Sequence, residues 1–211
     1  MKCIKTPKVY YISQGNTPND HLENIKKMVD AGVDWVQLRI KEGDKKEILS
    51  VASKAQKYCE EHGVVFIVND DIEIAHFTHA NGVHLGKEDE SPEIARELLG
   101  KDKIVGGTAN TWEDCQKLID MKVDYIGLGP YRFTITKKKL SPILGLEGYK
   151  QIVQKMRENH INIPIISIGG IELKDVEELQ KIGISGIALS GFLHQEKEPK
   201  ATVRGIQSYF K

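Results

Sequence analysis

The stretch 164–191, PIISIGGIELKDVEELQKIGISGIALSG, decides the expected fold. Two short apolar runs, Pro164–Gly169 and Gly186–Ser190, enclose a longer and more polar segment. Apolar, β-branched runs of this length next to glycine are typical of strands that are covered on both faces. Gly183 precedes the second run by a few residues, where a left-handed glycine would end a helix. The stretch therefore predicts a strand, a helix and a second, parallel strand.

The same alternation extends over the rest of the chain. Amphipathic segments such as Lys45–His62 and Trp112–Met121 carry their charged residues on one face. Gly32 precedes a strand as Gly183 does. Repeats of strand and helix predict a (β/α)₈ TIM barrel of the α/β class, because closing the sheet removes its edges. An open doubly wound sheet is the alternative. The other predicted strands are Val9–Ser13, Trp35–Ile40, Val64–Asn69, Gly82–Leu85, Lys103–Thr108 and Tyr125–Gly129.

Length and charge limit the organisation and the partners. A chain of 211 residues, 40% of them hydrophobic, can bury one core, and no linker divides it. We therefore expect a single domain over residues 1–211. Thirty basic and thirty acidic residues cancel, so no long-range field favours nucleic acid or an anionic membrane. Any anion must be bound locally, and small-molecule substrates are the expected partners.

The cysteines and the apolar segments indicate the compartment. Cys3, Cys59 and Cys115 are odd in number and show no C-x-x-C spacing, which argues against a disulfide framework or a zinc site. Neither a signal peptide nor an apolar span of membrane length is recognisable. We expect a soluble cytoplasmic protein, and the sequence leaves open whether it is a monomer or a homo-oligomer.

The end of the second predicted strand has the composition of an anion site. Gln37, Arg39 and Lys41 alternate with apolar residues, so their side chains should point to the same side. In a (β/α)₈ barrel, reactive groups lie at the C-terminal ends of the strands. Arg39 and Lys41 could then share one anion. The alternative is an ordinary solvated strand end.

Two carboxylates follow the next strands. Asp70 lies at the end of the third predicted strand and Asp89 in the loop after the fourth. Mg²⁺ usually binds through one or two carboxylates together with phosphate oxygens and water, so this pair is a candidate magnesium site. Alternatively, Asp71 and Asp89 cap the following helices.

The last two strands predict a phosphate site. Gly169 and Gly170 follow the seventh strand, and Ser190 and Gly191 follow the eighth. Glycine permits a close approach of the backbone, and such barrels bind phosphate at this position.

The segment 130–145 is long for a connection in a compact domain. It carries hydroxyls and cations at Thr134, Thr136 and Lys137–Lys139. It is either a lid over the phosphate site or ordinary exposed surface.

The histidines, including His84 within the fourth strand, show no spacing typical of zinc. No G-x-S-x-G, Walker or dinucleotide motif is present.

Five motifs occur in order along the barrel: Gln37–Lys41 (QLRIK), Ile67–Asp70 (IVND), Gly82–Asp89 (GVHLGKED), Gly127–Pro130 (GLGP) with Thr134–Lys137 (TITK), and Ile168–Ile171 (IGGI). Together they closely resemble the thiamine phosphate synthase family, also called thiamine-phosphate pyrophosphorylase. The resemblance runs from the first strand to the last.

The resemblance implies a reaction and a set of site residues. A pyrimidine diphosphate would condense with a thiazole phosphate, which is either carboxylated or not, and diphosphate would leave with help from Mg²⁺. The residues implied for the pyrimidine diphosphate are Gln37, Arg39, Lys41, Asn69, Thr108 and Lys137, with Arg39, Lys41 and Lys137 balancing the charge of the leaving group. The residues implied for Mg²⁺ are Asp70 and Asp89. The residues implied for the thiazole phosphate are Thr134, Thr136, Gly170, Ser190 and Gly191.

The sequence departs from the family pattern in two places. Thr108 and Asn110 stand where the family usually has serine and histidine, and Arg132-Phe133 stands where it usually has a small apolar residue and proline. A related thiazole tautomerase would use that histidine as an acid–base group, and asparagine cannot shuttle a proton at neutral pH. A non-catalytic protein that binds thiazole phosphate is the other alternative, and the presence of Lys41, Asp70 and Asp89 argues against it.

Overall fold

Eight parallel strands close into a barrel in which consecutive strands pair and the first strand pairs with the last. The computed structural model describes residues 5–133 and 142–210. The strands are β1 (Val9–Ile12), β2 (Trp35–Leu38), β3 (Val65–Asn69), β4 (Gly82–Leu85), β5 (Ile104–Ala109), β6 (Tyr125–Leu128), β7 (Ile165–Ile168) and β8 (Gly186–Leu189). This confirms the (β/α)₈ barrel, and the open doubly wound sheet is wrong. The limits of the domain at residues 1 and 211 stay a prediction.

Helices follow the strands in the expected order. They are α1 (Pro18–Asp30), α2 (Lys45–Glu61), α3 (Ile72–Phe77), α4 (Pro92–Leu99), α5 (Trp112–Asp120), α6 (Gly145–Glu158), α7 (Val176–Lys181), α8 (Gly191–Gln195) and α9 (Pro199–Tyr209), with a 3₁₀ turn at Leu173–Asp175. Gly32 and Gly183, just beyond α1 and α7, have φ of +91° and +102°. Both glycines therefore have the predicted left-handed conformation.

The second strand is shorter than predicted, because its neighbour ends first. β1 stops at Ile12, and the last bond of this ladder runs from the Ser13 N–H to the Gln37 carbonyl at 2.9 Å. The N–H of Arg39 instead donates to the side-chain oxygen of Ser13 at 3.0 Å. Arg39 and Lys41 consequently lie in the loop after β2 rather than in the strand.

The core has an inner and an outer layer, as the alternation of side chains along each strand requires. Tyr10, Trp35 and Tyr125 pack edge to face inside the barrel, with ring centroids 5.4 to 6.2 Å apart. A Cβ at Gly106 would lie 2.2 Å from the ring of Tyr125. Gly106 therefore leaves the space that this buried ring occupies. Tyr11, by contrast, belongs to the outer layer between the strands and the helices.

Two findings bear on the predictions from composition. Cys59 and Cys115 are free and buried, and burial raises the pKa of each thiol to about 12. In the part of the chain that the structure describes, none of the helices combines the length and the apolar character that a membrane crossing requires.

Candidate functional site

A cavity of about 660 Å³ opens at the rim formed by the C-terminal ends of the strands. Its wall combines side chains from β2, β3 and β5 with the loops after β7 and β8. This single cavity brings together seven of the residues that the sequence predicted: Gln37, Arg39, Asn69, Thr108, Gly170, Ser190 and Gly191. The predicted residues Thr134, Thr136 and Lys137 lie outside the described residues.

A charged cluster lies next to Asn69, at the ends of β3 and β4. The Nζ of Lys41 lies 2.5 Å from Oδ2 of Asp70, and the carboxyl groups of Asp70 and Asp89 are hydrogen-bonded to each other. Lys41 therefore pairs with a carboxylate here, whereas Arg39 lines the cavity. The structure brings the two predicted metal ligands together.

The two carboxyl groups have opposite pKa shifts. Burial alone would raise the pKa of Asp70, but hydrogen bonds with Asp89 and Lys41 lower it overall. Burial and the neighbouring Asp70 raise the pKa of Asp89. Two adjacent carboxylates repel each other, so the second of them is harder to ionise than the first. A divalent cation would remove this repulsion.

The backbone at these strand ends fixes the pair. Asp70 has a φ of +66°, a left-handed conformation that Asp and Asn tolerate better than most residues. The Asp70 N–H donates to the His84 carbonyl at 2.9 Å, and Oδ2 of Asp89 accepts from the Gly86 N–H at 2.6 Å. The capping alternative is confirmed for Asp71, which caps α3. It is wrong for Asp89, because Ser91 caps α4.

The carboxylates of Asp70 and Asp89 suit Mg²⁺ better than they suit a metal that requires many protein ligands. Within residues 5–133 and 142–210, the structure contains no group of three or more His, Cys, Asp or Glu side chains able to hold a metal ion. Two carboxylates next to a cavity are enough for Mg²⁺, provided that a phosphate-bearing ligand and water complete the shell.

The loops after β7 and β8 form the opposite wall of the cavity. Gly169 and Gly170 have φ of +90° and +69°, and a Cβ at either position would lie 2.8 Å from the Cβ of Pro130 or Arg132, respectively, so both positions need glycine. The Ser190 hydroxyl donates to the Ile12 carbonyl at 3.0 Å and accepts from Nε2 of Gln14 at 2.5 Å. Gln14 itself lines the cavity. Sequence reasoning missed it, although its position just after β1 is where a barrel places reactive side chains.

Arg132 fastens the segment after β6 to the loop after β7. Its Nη1 and Nη2 lie 2.5 and 2.6 Å from the two carboxylate oxygens of Asp175. Nη1 also donates to the Gly170 carbonyl at 2.9 Å. This departure from the family pattern is therefore a structural clamp. Its neighbour Phe133 is 60% exposed and lines the cavity.

We expect Arg132→Ala to destabilise the fold by about 1–3 kcal/mol, because it leaves the buried carboxylate of Asp175 without its fork of donors. Thermal denaturation followed by circular dichroism measures the effect. Arg132→Lys should recover only part of the loss, since an ammonium cannot reproduce the bidentate geometry. A Tm for Arg132→Ala equal to that of the wild type would show that the clamp adds nothing to stability.

The departure from the family pattern at Asn110 is also accounted for by a buried contact. The side-chain amide of Asn110 donates to the Gly129 carbonyl, and the residue is 3% exposed. Its role is therefore to hold the end of β6. Thr108 provides the hydroxyl expected at its position, which lies 2.9 Å from Nε2 of His84.

Comparison with known proteins gives a consistent result. The family model described as thiamine monophosphate synthase matches residues 9–193. A thiamine-phosphate synthase of Flavobacterium johnsoniae is 48% identical over 199 residues, covering 94% of each chain. One of Flavobacterium psychrophilum is 45% identical over 192 residues, covering 91% of this chain and 93% of the other.

A solved structure agrees with these relatives. The structure described as thiamine phosphate pyrophosphorylase from Pyrococcus furiosus has a TM-score of 0.82 and 25% identity, covering 96% of this chain and 95% of the other. The expected transferase activity and the expected barrel are thereby confirmed. The chain belongs to the thiamine monophosphate synthase family.

Proposed function

We propose that the chain joins 4-amino-5-hydroxymethyl-2-methylpyrimidine diphosphate to a thiazole phosphate, giving thiamine phosphate and diphosphate. One observation carries the assignment of the site. A single cavity has polar side chains from β2, β3 and β5 on one wall and the glycine-containing loops after β7 and β8 on the other, beside the cluster of Lys41, Asp70 and Asp89. Two phosphorylated substrates need two such walls.

The pyrimidine diphosphate would lie against the first wall. Gln37, Asn69 and Thr108 supply hydrogen-bonding groups there, and Arg39 supplies a cation. Burial lowers the pKa of the Arg39 guanidinium, and Asp70 offsets this only in part. A guanidinium remains charged in proteins, so a bound diphosphate would compensate for the water that Arg39 has lost.

Asp70 and Asp89 would hold Mg²⁺, as their mutual hydrogen bond and opposite pKa shifts support. When bound, Mg²⁺ would neutralise part of the charge that the leaving diphosphate develops. Lys41 is placed to contribute from the same cluster, because it already contacts Asp70. Lys137 is proposed for the same purpose from the sequence motif alone.

The thiazole phosphate would lie against the second wall, with Gly170, Ser190 and Gly191 around its phosphate. Thr134 and Thr136 are proposed to join them, again from the sequence motif. Adding a Cβ at Gly170 would place it 2.8 Å from Cβ of Arg132. The Arg132 clamp therefore lies directly behind the proposed phosphate loop.

In the proposed reaction the bond between the pyrimidine methylene carbon and the diphosphate oxygen breaks, and that oxygen keeps the electron pair. The methylene cation is stabilised by the amino group of its ring. The thiazole nitrogen then donates its lone pair to the methylene carbon, forming the new C–N bond. No side-chain nucleophile is needed, so the protein contributes position and charge balance.

The rival isomerase activity lacks its acid–base group. Asn110 occupies the position where the related thiazole tautomerase would have a histidine, and its amide donates a hydrogen bond to the Gly129 carbonyl.

A cytoplasmic location is proposed because the substrates are charged small molecules and the described thiols Cys59 and Cys115 are free.

The direct test incubates the purified protein with both precursors and Mg²⁺ and measures diphosphate and thiamine phosphate. We expect both products in equal amounts, and little diphosphate from the pyrimidine diphosphate alone. Parallel reactions with carboxylated and uncarboxylated thiazole phosphate identify the preferred acceptor. Binding of thiazole phosphate without either product would instead indicate the non-catalytic alternative.

A further inference from the structure

A series of hydrogen bonds crosses the inside of the barrel and joins Gln37 on β2 to Thr108 on β5, both of which lie on the first wall of the cavity. Nε2 of Gln37 donates to the Tyr10 hydroxyl at 2.7 Å, and this hydroxyl lies 3.2 Å from that of Tyr125. The Tyr125 hydroxyl lies 2.9 Å from Nδ1 of His84, and Nε2 of His84 lies 2.9 Å from the Thr108 hydroxyl. We call these five residues the inner polar chain.

The interior members of this chain are shielded from water. Tyr10 and Tyr125 are 2% and 0% exposed, and His84 is 6% exposed. Burial raises the pKa of both tyrosines well above the ordinary value, so each hydroxyl keeps its proton. Each therefore has one proton to donate, and the donation can run along the chain in only one direction at a time.

The amide of Gln37 sets that direction. Because it donates to Tyr10, the Tyr10 proton must point to Tyr125, and the Tyr125 proton must point to Nδ1 of His84. Because Nδ1 of His84 accepts this proton, the ring N–H is on Nε2, which donates to the Thr108 hydroxyl. The Thr108 proton is left for a ligand in the cavity, and the carbonyl oxygen of the Gln37 amide is left as an acceptor.

We propose that Tyr125 and His84 are positioning residues that fix Gln37 as an acceptor and Thr108 as a donor toward the pyrimidine substrate. This inference rests on the proposed function, which places the pyrimidine against these two residues. An aminopyrimidine has an N–H donor and a ring-nitrogen acceptor side by side. The analogue with an oxo group in place of the amino group reverses that pattern, so the inner polar chain would select against it.

Nuclear magnetic resonance of protein labelled with ¹⁵N-histidine tests the direction of the chain without any substrate. The His84 signals are identified by their loss in His84→Gln. In the wild type we expect the neutral tautomer with its proton on Nε2. In Tyr125→Phe, which keeps the ring but loses the donor to Nδ1, we expect a mixture of tautomers. In Tyr10→Phe we also expect a mixture of tautomers, because this change removes the hydroxyl through which Gln37 orients the Tyr125 proton.

Steady-state kinetics test the consequence for the substrate. For Tyr125→Phe we expect KM for the pyrimidine diphosphate to rise by about tenfold, with a smaller change in kcat. The contacts to the pyrimidine ring are the same in the bound substrate and in the transition state, so losing them weakens both equally. KM for the thiazole phosphate should stay unchanged. Discrimination against the oxo analogue should also fall. Tyr58→Phe is the matched control, because it removes a hydroxyl that bonds to Asp30 at 2.7 Å, outside the cavity.

The outcomes separate this inference from the function on which it rests. A proton on Nδ1 of His84 in the wild type would reverse the direction and overturn the proposal. So would an unchanged KM and unchanged discrimination in a folded Tyr125→Phe protein, with folding checked by its Tm. Absence of turnover in the wild type would refute the proposed function, while the tautomer spectrum would still report on the chain.

Discussion

Replacing Asp70 by Asn is expected to lower kcat for diphosphate release by about 10²–10³, the scale seen when one preorganised group that stabilises developing charge is lost. The change removes one of the two proposed carboxylate ligands of Mg²⁺ while keeping the size of the side chain. The φ of +66° at this position suits Asn as well as Asp. The fold should therefore survive, and the loss should be partly recovered at high Mg²⁺ concentration.

The chain offers a matched control one residue away. Asp71 caps α3 through the Ile74 N–H at 2.8 Å, and Asn is about as good a cap as Asp. Asp71→Asn thus removes the same charge without touching the proposed metal site, and its rate should stay near that of the wild type. Release of diphosphate, measured for both variants over a Mg²⁺ titration, decides the question. Equal rates for the two variants would remove Asp70 from the metal site.

The fold was predictable because both faces of a barrel strand are covered. Runs such as Tyr125–Leu128 and Gly186–Leu189 are therefore apolar throughout and easy to recognise. The predicted ends of the strands are less accurate, because a strand loses its ladder of hydrogen bonds where the neighbouring strand ends. The end of β2 illustrates this, since the side chain of Ser13 replaces a backbone partner there.

The rule that places reactive groups at strand ends located much of the site. It correctly brought Gln37, Arg39 and Asn69 to one cavity. The Arg132–Asp175 clamp joins residues 43 positions apart, and no local pattern indicates which acid an arginine will meet. A single sequence records the departure at Arg132 but not its partner.

The inner polar chain was missed for a different reason. Tyr10 and Tyr125 have the aromatic character of ordinary core strand residues, and their hydroxyls acquire a role only when the barrel closes and brings β1 beside β6 across the interior. In the sequence, His84 is one of seven histidines and has no functional spacing to the others. Its contacts with Tyr125 and Thr108 depend on the tertiary structure.

Replacing Arg39 by Ala is expected to raise KM for the pyrimidine diphosphate by about 10- to 100-fold, since a hydrogen bond to a charged group contributes roughly 1.5–3 kcal/mol. Among residues 5–133 and 142–210, no carboxylate lies within ion-pair distance of Arg39, and Asp70 acts on it only from further away. A partly buried cation in this state is available to a diphosphate. KM for the thiazole phosphate should change little, because that substrate is assigned to the opposite wall.

Two further variants show whether the effect comes from the fork of donors or from charge alone. Arg39→Lys keeps the charge but loses the planar pair of donors, so its KM should lie between those of the wild type and Arg39→Ala. Lys46→Ala removes an exposed cation from the first turn of α2, outside the cavity, and should leave KM unchanged at moderate ionic strength. If Lys46→Ala raised KM as much as Arg39→Ala, a general field would explain the binding. If Arg39 contacts the diphosphate directly, KM should be higher for Arg39→Ala than for Lys46→Ala, and this difference should persist when salt is added.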